Sequence, residues 1–258
     1  MRLVNKKDNV NHIKNVVRKS FNRASNRLLQ ILPSSIYQKL EPHFRLVDLT
    51  QGEILHLPGE TIQEVYFPID CMLSITLTMY DGSTIETGLV GNRDVLGINA
   101  LMGRAETTHT EYIVQVSGRA IKINAWTMRS LFLQHTELQD IMLRHTQALI
   151  AQISQTAACN RFHSIEQRLA RWLLEACDRS ETQTIYLTHE FMSNMLGVRR
   201  TGVTLAASKL QNENIIRYNR GHIEIIDRQK LEEISCECFC TVKAEYDRLL
   251  GTLNNVKC

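Results

Sequence analysis

"LTHEFMSNMLGVRRTGVTLAASKLQNENIIRYNRGHIEIID", residues 187–227, is the most informative stretch of the chain. Thr188 stands where an N-cap would, and Met192, Met195 and Leu196 then point to one side of a first helix. Ser193 is small, as a close helix crossing needs, and Gly197 supplies a turn. Val203, Ala206, Ala207 and Leu210 form the inward face of a second helix, leaving Arg200, Thr201, Thr204, Leu205 and Ser208 to look outward. "IIRY" and "HIEII" pair across "NRG" as a hairpin. Helix, turn, helix and hairpin in this order predict a winged helix-turn-helix, whose second helix enters the major groove of DNA with its N-terminal residues at base edges.

Arg199 and Arg200 concentrate positive charge at the helix end where the dipole already favours anions. Arg200 is expected to grip a guanine, because its planar fork matches O6 and N7 together, and Arg199 to hold a phosphate. Arg220, in the hairpin, completes the expected DNA-binding set with Thr201, Thr204, Leu205 and Ser208. A helix-turn-helix used only for protein contact would show a large apolar patch on this face instead.

Upstream, "SIEQ" from Ser164 has the form of a capping box, and Leu169, Trp172, Leu173 and Ala176 follow on a core-facing side. Leu131, Leu138, Met142 and Leu149 recur at spacings of seven, four and seven, with His135 and His145 between them. They predict a helix from near Thr136 past Ala157, and the seam is read as a surface for self-pairing. All four prolines and most glycines lie earlier still, among "EVYFPI", "MLSITLTMY", "STIETGLV", "EYIVQVS" and "AIKIN". Such short β-branched runs predict a sandwich or small barrel. "SNRLLQILPSSIYQKL" precedes them as one helix or two broken at Pro33.

The total charge of +3 does not by itself announce a nucleic-acid binder. Through Arg27 the chain carries eight bases against the single acid Asp8, a composition shared by organellar presequences but read here as a basic extension. No run approaches the roughly 18 apolar residues that span a bilayer. Seven cysteines without framework spacing suit a reducing cytoplasm, the expected location. "SCECFC" holds Cys236, Cys238 and Cys240 at single-residue spacing. On a continuous helix this puts Cys236 and Cys240 on one face and Cys238 opposite, packed with Ile234, Val242 and Leu249, and the group is read as buried and inert, with a redox or metal sensor as the alternative.

A short-strand β domain, a long helix and a C-terminal winged helix together resemble the Crp–Fnr family of bacterial transcription regulators, from Leu28 to about Asp227. The resemblance implies an α+β fold: an N-terminal cyclic-nucleotide-binding-like β-roll (jelly-roll) domain, a long dimerisation helix and a C-terminal winged helix-turn-helix. The boundaries read from the sequence are a basic extension 1–27, the β-roll sensor 28–127, helix and hinge 128–163, the DNA-binding domain 164–235 and a tail 236–258. Arg200 matches the family's base-reading arginine. Thr201 stands where many members have glutamate, Leu205 where the catabolite-activator type has a second base-reading arginine, and Arg199 replaces the usual capping serine. These departures bear on the operator and not on DNA binding itself.

Members that bind cyclic AMP use a Gly-Glu pair for the ribose and an Arg-Ser/Thr-Ala run for the phosphate. Here Gly97 is followed by Ile98, and Thr108, His109 and Thr110 fall where the arginine run would be. A buried phosphate without a cation costs several kcal/mol. Ile153 and Ser154 stand at the base-contacting positions, and Arg93 and Arg104 are out of register as substitutes. Cyclic AMP is therefore not expected to bind. Gly97, Ile98, Arg104, Thr108, His109 and Ser154 remain the candidate pocket for another effector, with His109 also weighed as a haem ligand and read as structural or solvent-facing. No cysteine precedes Cys71, where the oxygen-sensing branch places its iron–sulfur ligands.

The expected function is a homodimeric, sequence-specific regulator on an inverted-repeat operator in double-stranded DNA, with RNA polymerase as a further candidate partner. The alternative is an effector-binding or interaction module that has lost DNA specificity. No nucleophile, metal set or phosphate loop has the context an enzyme needs, so neither catalytic residues, metal ligands nor a cofactor are assigned.

Overall fold

The computed structural model describes residues 23–103, 107–180 and 184–251. Most of the basic extension, and Arg104 of the candidate pocket, lie outside them.

Pro33 divides the first helical run into α1 (Arg27–Ile31) and α2 (Ser34–Leu40). Asn26 caps α1, its Oδ1 accepting from the N–H groups of Leu28 and Leu29. Seven strands follow: β1 (Arg45–Leu49), β2 (Ile54–His56), β3 (Glu64–Pro68), β4 (Met72–Thr78), β5 (Thr84–Val90), β6 (Glu111–Val116) and β7 (Gly118–Asn124). They form two antiparallel sheets, ordered β1-β7-β3 and β2-β6-β4-β5. Alternation decides which side chains turn inward: Val65 and Phe67 pair with Ile123 and Ile121, and all four are buried. Leu73, Ile75, Val90, Tyr112 and Val114 of the second sheet meet them in one core.

Asn124 caps α3 (Ala125–Gln134), and α4 runs 27 residues, Thr136–Phe162. The seam read from the sequence has a different partner from the one expected. Leu138, Met142 and Leu149 are buried against the β domain of the same chain, and Leu131 packs beside them. His145 is fully buried and faces Asp94, not a second subunit. The spacing was real, but a buried helical stripe looks the same whichever surface covers it. On the outward side of α4 remain Leu143, Ile150 and Ile153, which are exposed.

The chain breaks at His163 and Ser164, then enters α5 (Ile165–Ser180). The capping box is reciprocal: Gln167 N–H donates to Ser164 Oγ at 3.3 Å and Ser164 N–H to Gln167 Oε1 at 3.0 Å. A third sheet holds β8 (Thr184–Tyr186), β10 (His222–Ile225) and β9 (Ile216–Asn219) in that order, so the wing has three strands where the sequence suggested two. Between them lie α6 (His189–Leu196) and α7 (Arg200–Asn212). The chain closes with α8 (Arg228–Ile234) and α9 (Cys238–Leu250). Because α8 ends before Ser235, Cys236 lies in a turn and does not share a helix face with Cys240. Helix α9 packs back on α4, where Tyr246, Val242 and Leu249 bury Ala148.

Buried polar groups join the two halves. Glu86 of β5 accepts from Trp172 Nε1 of α5 at 2.9 Å and from Gln115 Nε2 at 2.7 Å, with Ser74 Oγ also bonded to it. Burial pushes its pKa up to about 7 against these hydrogen bonds, with the Glu175 charge adding to the rise. Asp94, after β5, is paired with Arg179 of α5 and lies 3.4 Å from His145 Nε2 of α4. Burial would raise Asp94, but Arg179, then His145 and Arg93, hold it well below the usual carboxylate range.

Candidate nucleic-acid interface

Thr188 fixes the start of α6 by accepting the Phe191 N–H at 3.2 Å. Gly197 ends that helix in the left-handed conformation, at φ 60° and ψ 42°, with its N–H turned back to Asn194 O and Ser193 O. A methyl group there would also stand 2.7 Å from Ile85 Cδ1, so the turn is held to the β domain as well. Met192, Ser193, Met195 and Leu196 are buried on α6, and Val203, Ala206, Ala207 and Leu210 on α7. The inward pattern leaves one face of α7 to solvent.

That face carries the residues singled out from the sequence. Arg199 occupies the N-cap of α7 with no side-chain capping bond, and Arg200 is its first residue. Both are exposed, as are Thr201, Leu205 and Ser208, with Leu205 at 73%. Thr204 is half-buried. Its hydroxyl bonds Arg200 O at 3.0 Å and lies 3.0 Å from His189 Nδ1, so it is the least free of the set.

His189 was not legible as part of this surface. It stacks on Tyr218 of the wing, centroids 4.4 Å apart, and so ties α6, α7 and β9 together beside Arg200. Burial, then the Arg200 charge, pulls the pKa of His189 down, which favours the neutral imidazole beside the arginine. Gln211 Oε1 accepts the Tyr218 N–H at 2.9 Å, adding a second link from α7 to the wing.

At the wing tip Asn219 pairs with His222 across Arg220 and Gly221. Both turn residues have positive φ, 48° and 89°, as a two-residue hairpin of the primed type demands. Gly221 adopts this freely; Arg220 does so against its own preference. The result is an exposed guanidinium at the far end of the wing. Among the described residues Arg199, Arg200 and Arg220 have no acidic partner, whereas Arg217 pairs with Glu224 and Lys209 with Glu166. Among the described residues of the winged-helix half, exposed positive charge without an acidic partner thus stands at the entry to α7 and at the wing tip.

Among the described residues, the candidate effector residues are not assembled into a comparable site. Gly97 takes φ 90° with its α-carbon side against Glu64 O, and Ile98 is buried in the β-domain core. Thr108 bonds Thr110 at 2.8 Å and its carbonyl accepts the Gly59 N–H, while His109 is exposed. Ser154 is exposed on α4. It is Gln152 that turns inward there, accepting from Leu89 N–H at 2.9 Å and donating to Leu89 O at 3.2 Å. A polar residue two positions from the expected one was missed because helix phase, not residue type, selects the inward side.

A β-rich N-terminal domain, long helices and a winged helix-turn-helix make up a Crp/Fnr-like fold. Residues 167–234 match the Crp-like helix-turn-helix domain family. The chain is homologous to a CRP-like cAMP-activated global transcriptional regulator of Mycobacterium tuberculosis, 23% identical over 214 residues, covering 77% of this chain and 95% of that one. Its fold is that of a Crp/Fnr-family transcriptional regulator from Eubacterium rectale, at TM-score 0.64 and 17% identity over 82% of this chain and 98% of the other. FixK2 from Bradyrhizobium japonicum is similar to the same degree, with TM-score 0.64 and 14% identity over 75% and 98%. Among the described residues no helix is long and apolar enough to cross a membrane.

Proposed function

We propose that the protein is a homodimeric, sequence-specific DNA-binding regulator that reads an inverted repeat from α7 and contacts the flanking backbone through its wing. The observation that carries this reading is the distribution of free charge: Arg199 and Arg200 at the entry of α7 and Arg220 at the wing tip, on a face otherwise small and polar apart from Leu205. Arg200 reads a guanine edge, Arg199 and Arg220 hold phosphates, and Thr201, Thr204, Leu205 and Ser208 complete the groove-facing set. Leu205 offers an apolar contact to a thymine methyl.

Two copies pair through the outward side of α4. Leu143 and Ile150 stand one heptad apart, Ile153 lies on the neighbouring line, and all three are exposed. The effector differs from cyclic AMP, because Ile98 is in the core and Thr108 bonds its own loop where ribose and phosphate ligands would be needed. The setting is cytoplasmic, and RNA polymerase is the further partner that transcription control implies.

Binding to duplex DNA over a salt series tests the reading. A specific complex should lose affinity steeply with salt and keep a base preference at every concentration. Weak binding, equal on all sequences, would instead mark a module that has lost DNA specificity.

A further inference from the structure

Four side chains that lie far apart in sequence converge where α4 meets the winged-helix half. Cys159 is in the last turn of α4 and His163 follows that helix immediately, while Cys236 lies in the turn between α8 and α9 and Cys238 opens α9. One donor atom from each lies within 4.8 Å of all the others. Cys159 Sγ and Cys236 Sγ are 3.5 Å apart, as are Cys238 Sγ and His163 Nδ1. The three cysteines are buried and form a cluster of their own.

We propose that Cys159, His163, Cys236 and Cys238 form a Cys3His site for a zinc-class divalent ion, which clips the α4–α5 hinge to the C-terminal segment of the DNA-binding half. Tetrahedral zinc, with bonds of about 2.3 Å to sulfur and 2.0–2.1 Å to nitrogen, sets neighbouring ligand atoms roughly 3.5–3.8 Å apart. The observed separations already include that value, and none needs to contract by more than about 1.3 Å. Three sulfurs and an imidazole exclude the hard ions that prefer oxygen. An iron–sulfur cluster carries its cysteines outside a cage of metal and sulfide, and so needs them farther apart than this.

The surroundings fit a metal as well as the ligands do. His163 turns Nδ1 toward the cysteines and places Nε2 3.1 Å from the Glu237 carboxylate, the arrangement that fixes tautomer and orientation in metal-bound histidines. Gln155 Nε2 donates to Cys238 Sγ at 3.1 Å. Arg168 and Arg171 are buried close enough for the sulfurs to act on both guanidinium groups. Arg171 also pairs with Glu175 at 3.1 Å; the net negative charge of three thiolates and one divalent ion would add a counterion for Arg168. All four protein positions are filled, so the site is of the closed, structural kind.

Cobalt titration of the reduced, metal-free full-length chain tests the site. One equivalent should bind with the intense visible bands of a tetrahedral ion and a sulfur-to-cobalt charge-transfer band, and zinc should displace it. Cys159→Ser and Cys238→Ser should lose that spectrum, whereas Cys71→Ser and Cys177→Ser should keep it. Glu237 is exposed, so Glu237→Gln leaves folding intact; it should weaken cobalt affinity ten- to a hundred-fold with the spectrum unchanged in shape. An octahedral spectrum, no binding of cobalt or zinc at micromolar concentration, or an affinity indifferent to Glu237 would overturn the proposal.

Discussion

In the proposed interface Arg199 and Arg200, neighbours in sequence, have different tasks. Replacing Arg200 by alanine should cost about 1–3 kcal/mol of specific binding and relax the preference at one operator position. Replacing Arg199 should weaken binding to all sequences about equally and lower the salt slope by about one unit. Lysine should largely restore function at 199, where a point charge suffices, and much less at 200, where the fork is needed. Affinities across operator mutants at several salt concentrations check both, and exchanged phenotypes would reverse the assignment. Arg220 offers a sharper test because its backbone opposes its side chain. At φ 48° glycine fits better, so Arg220→Gly should stabilise the fold by up to about 1 kcal/mol while weakening DNA binding. Denaturant midpoints and DNA affinity should therefore move in opposite directions.

Elements were legible where a local pattern and a tertiary environment agree. The strands β3 to β7, both helices of the helix-turn-helix and the capping box on α5 follow from periodicity and caps that act over a few residues. β1 and β2 were not, because "RLVDL" interrupts its apolar run with Arg45 and Asp48 and β2 is three residues long. The partner of the α4 stripe was misread for a related reason: period alone cannot say whether a β domain or a second copy covers it. The outward residues of α7 were legible because the buried faces of α6 and α7 leave only one side open. The convergence of Cys159 with Cys236 was not, since 77 residues separate them. Leu143→Lys or Ile150→Glu should turn a dimer into a folded monomer, whereas a charge at Leu138 or Met142 should damage the fold itself. Sedimentation and thermal unfolding separate the two outcomes, and a fully dimeric Leu143→Lys/Ile150→Glu double variant would contradict this choice of face.

At the scale of the molecule, the halves are joined by charges and carboxyls that water cannot reach. Asp94 holds Arg179 from one side while Tyr246 of α9 underlies that guanidinium at 5.3 Å. Asp94→Ala would leave a fully buried arginine without its counterion and should cost about 3–5 kcal/mol, read from denaturant unfolding. Glu86 makes the junction sensitive to pH. Its pKa is 4.5 when exposed and about 7 when buried, so the folded chain keeps the proton longer than the unfolded one. Stability from this group is complete below about pH 4.5 and is lost as pH rises to about 7, by an amount on the order of 3 kcal/mol. The pH dependence of Glu86→Gln should be flatter than that of the parent across this window, and identical profiles would place the dependence elsewhere.

In the proposed dimer two copies of one helix, α7, read DNA. Selection from random duplexes with the purified full-length chain tests it most directly. The expected product is an inverted repeat with half-site centres one helical turn, about 10 base pairs, apart, and with a guanine whose enrichment disappears in Arg200→Ala. Recovery of no enriched sequence, or of one whose base preferences survive Arg200→Ala unchanged, would contradict the account.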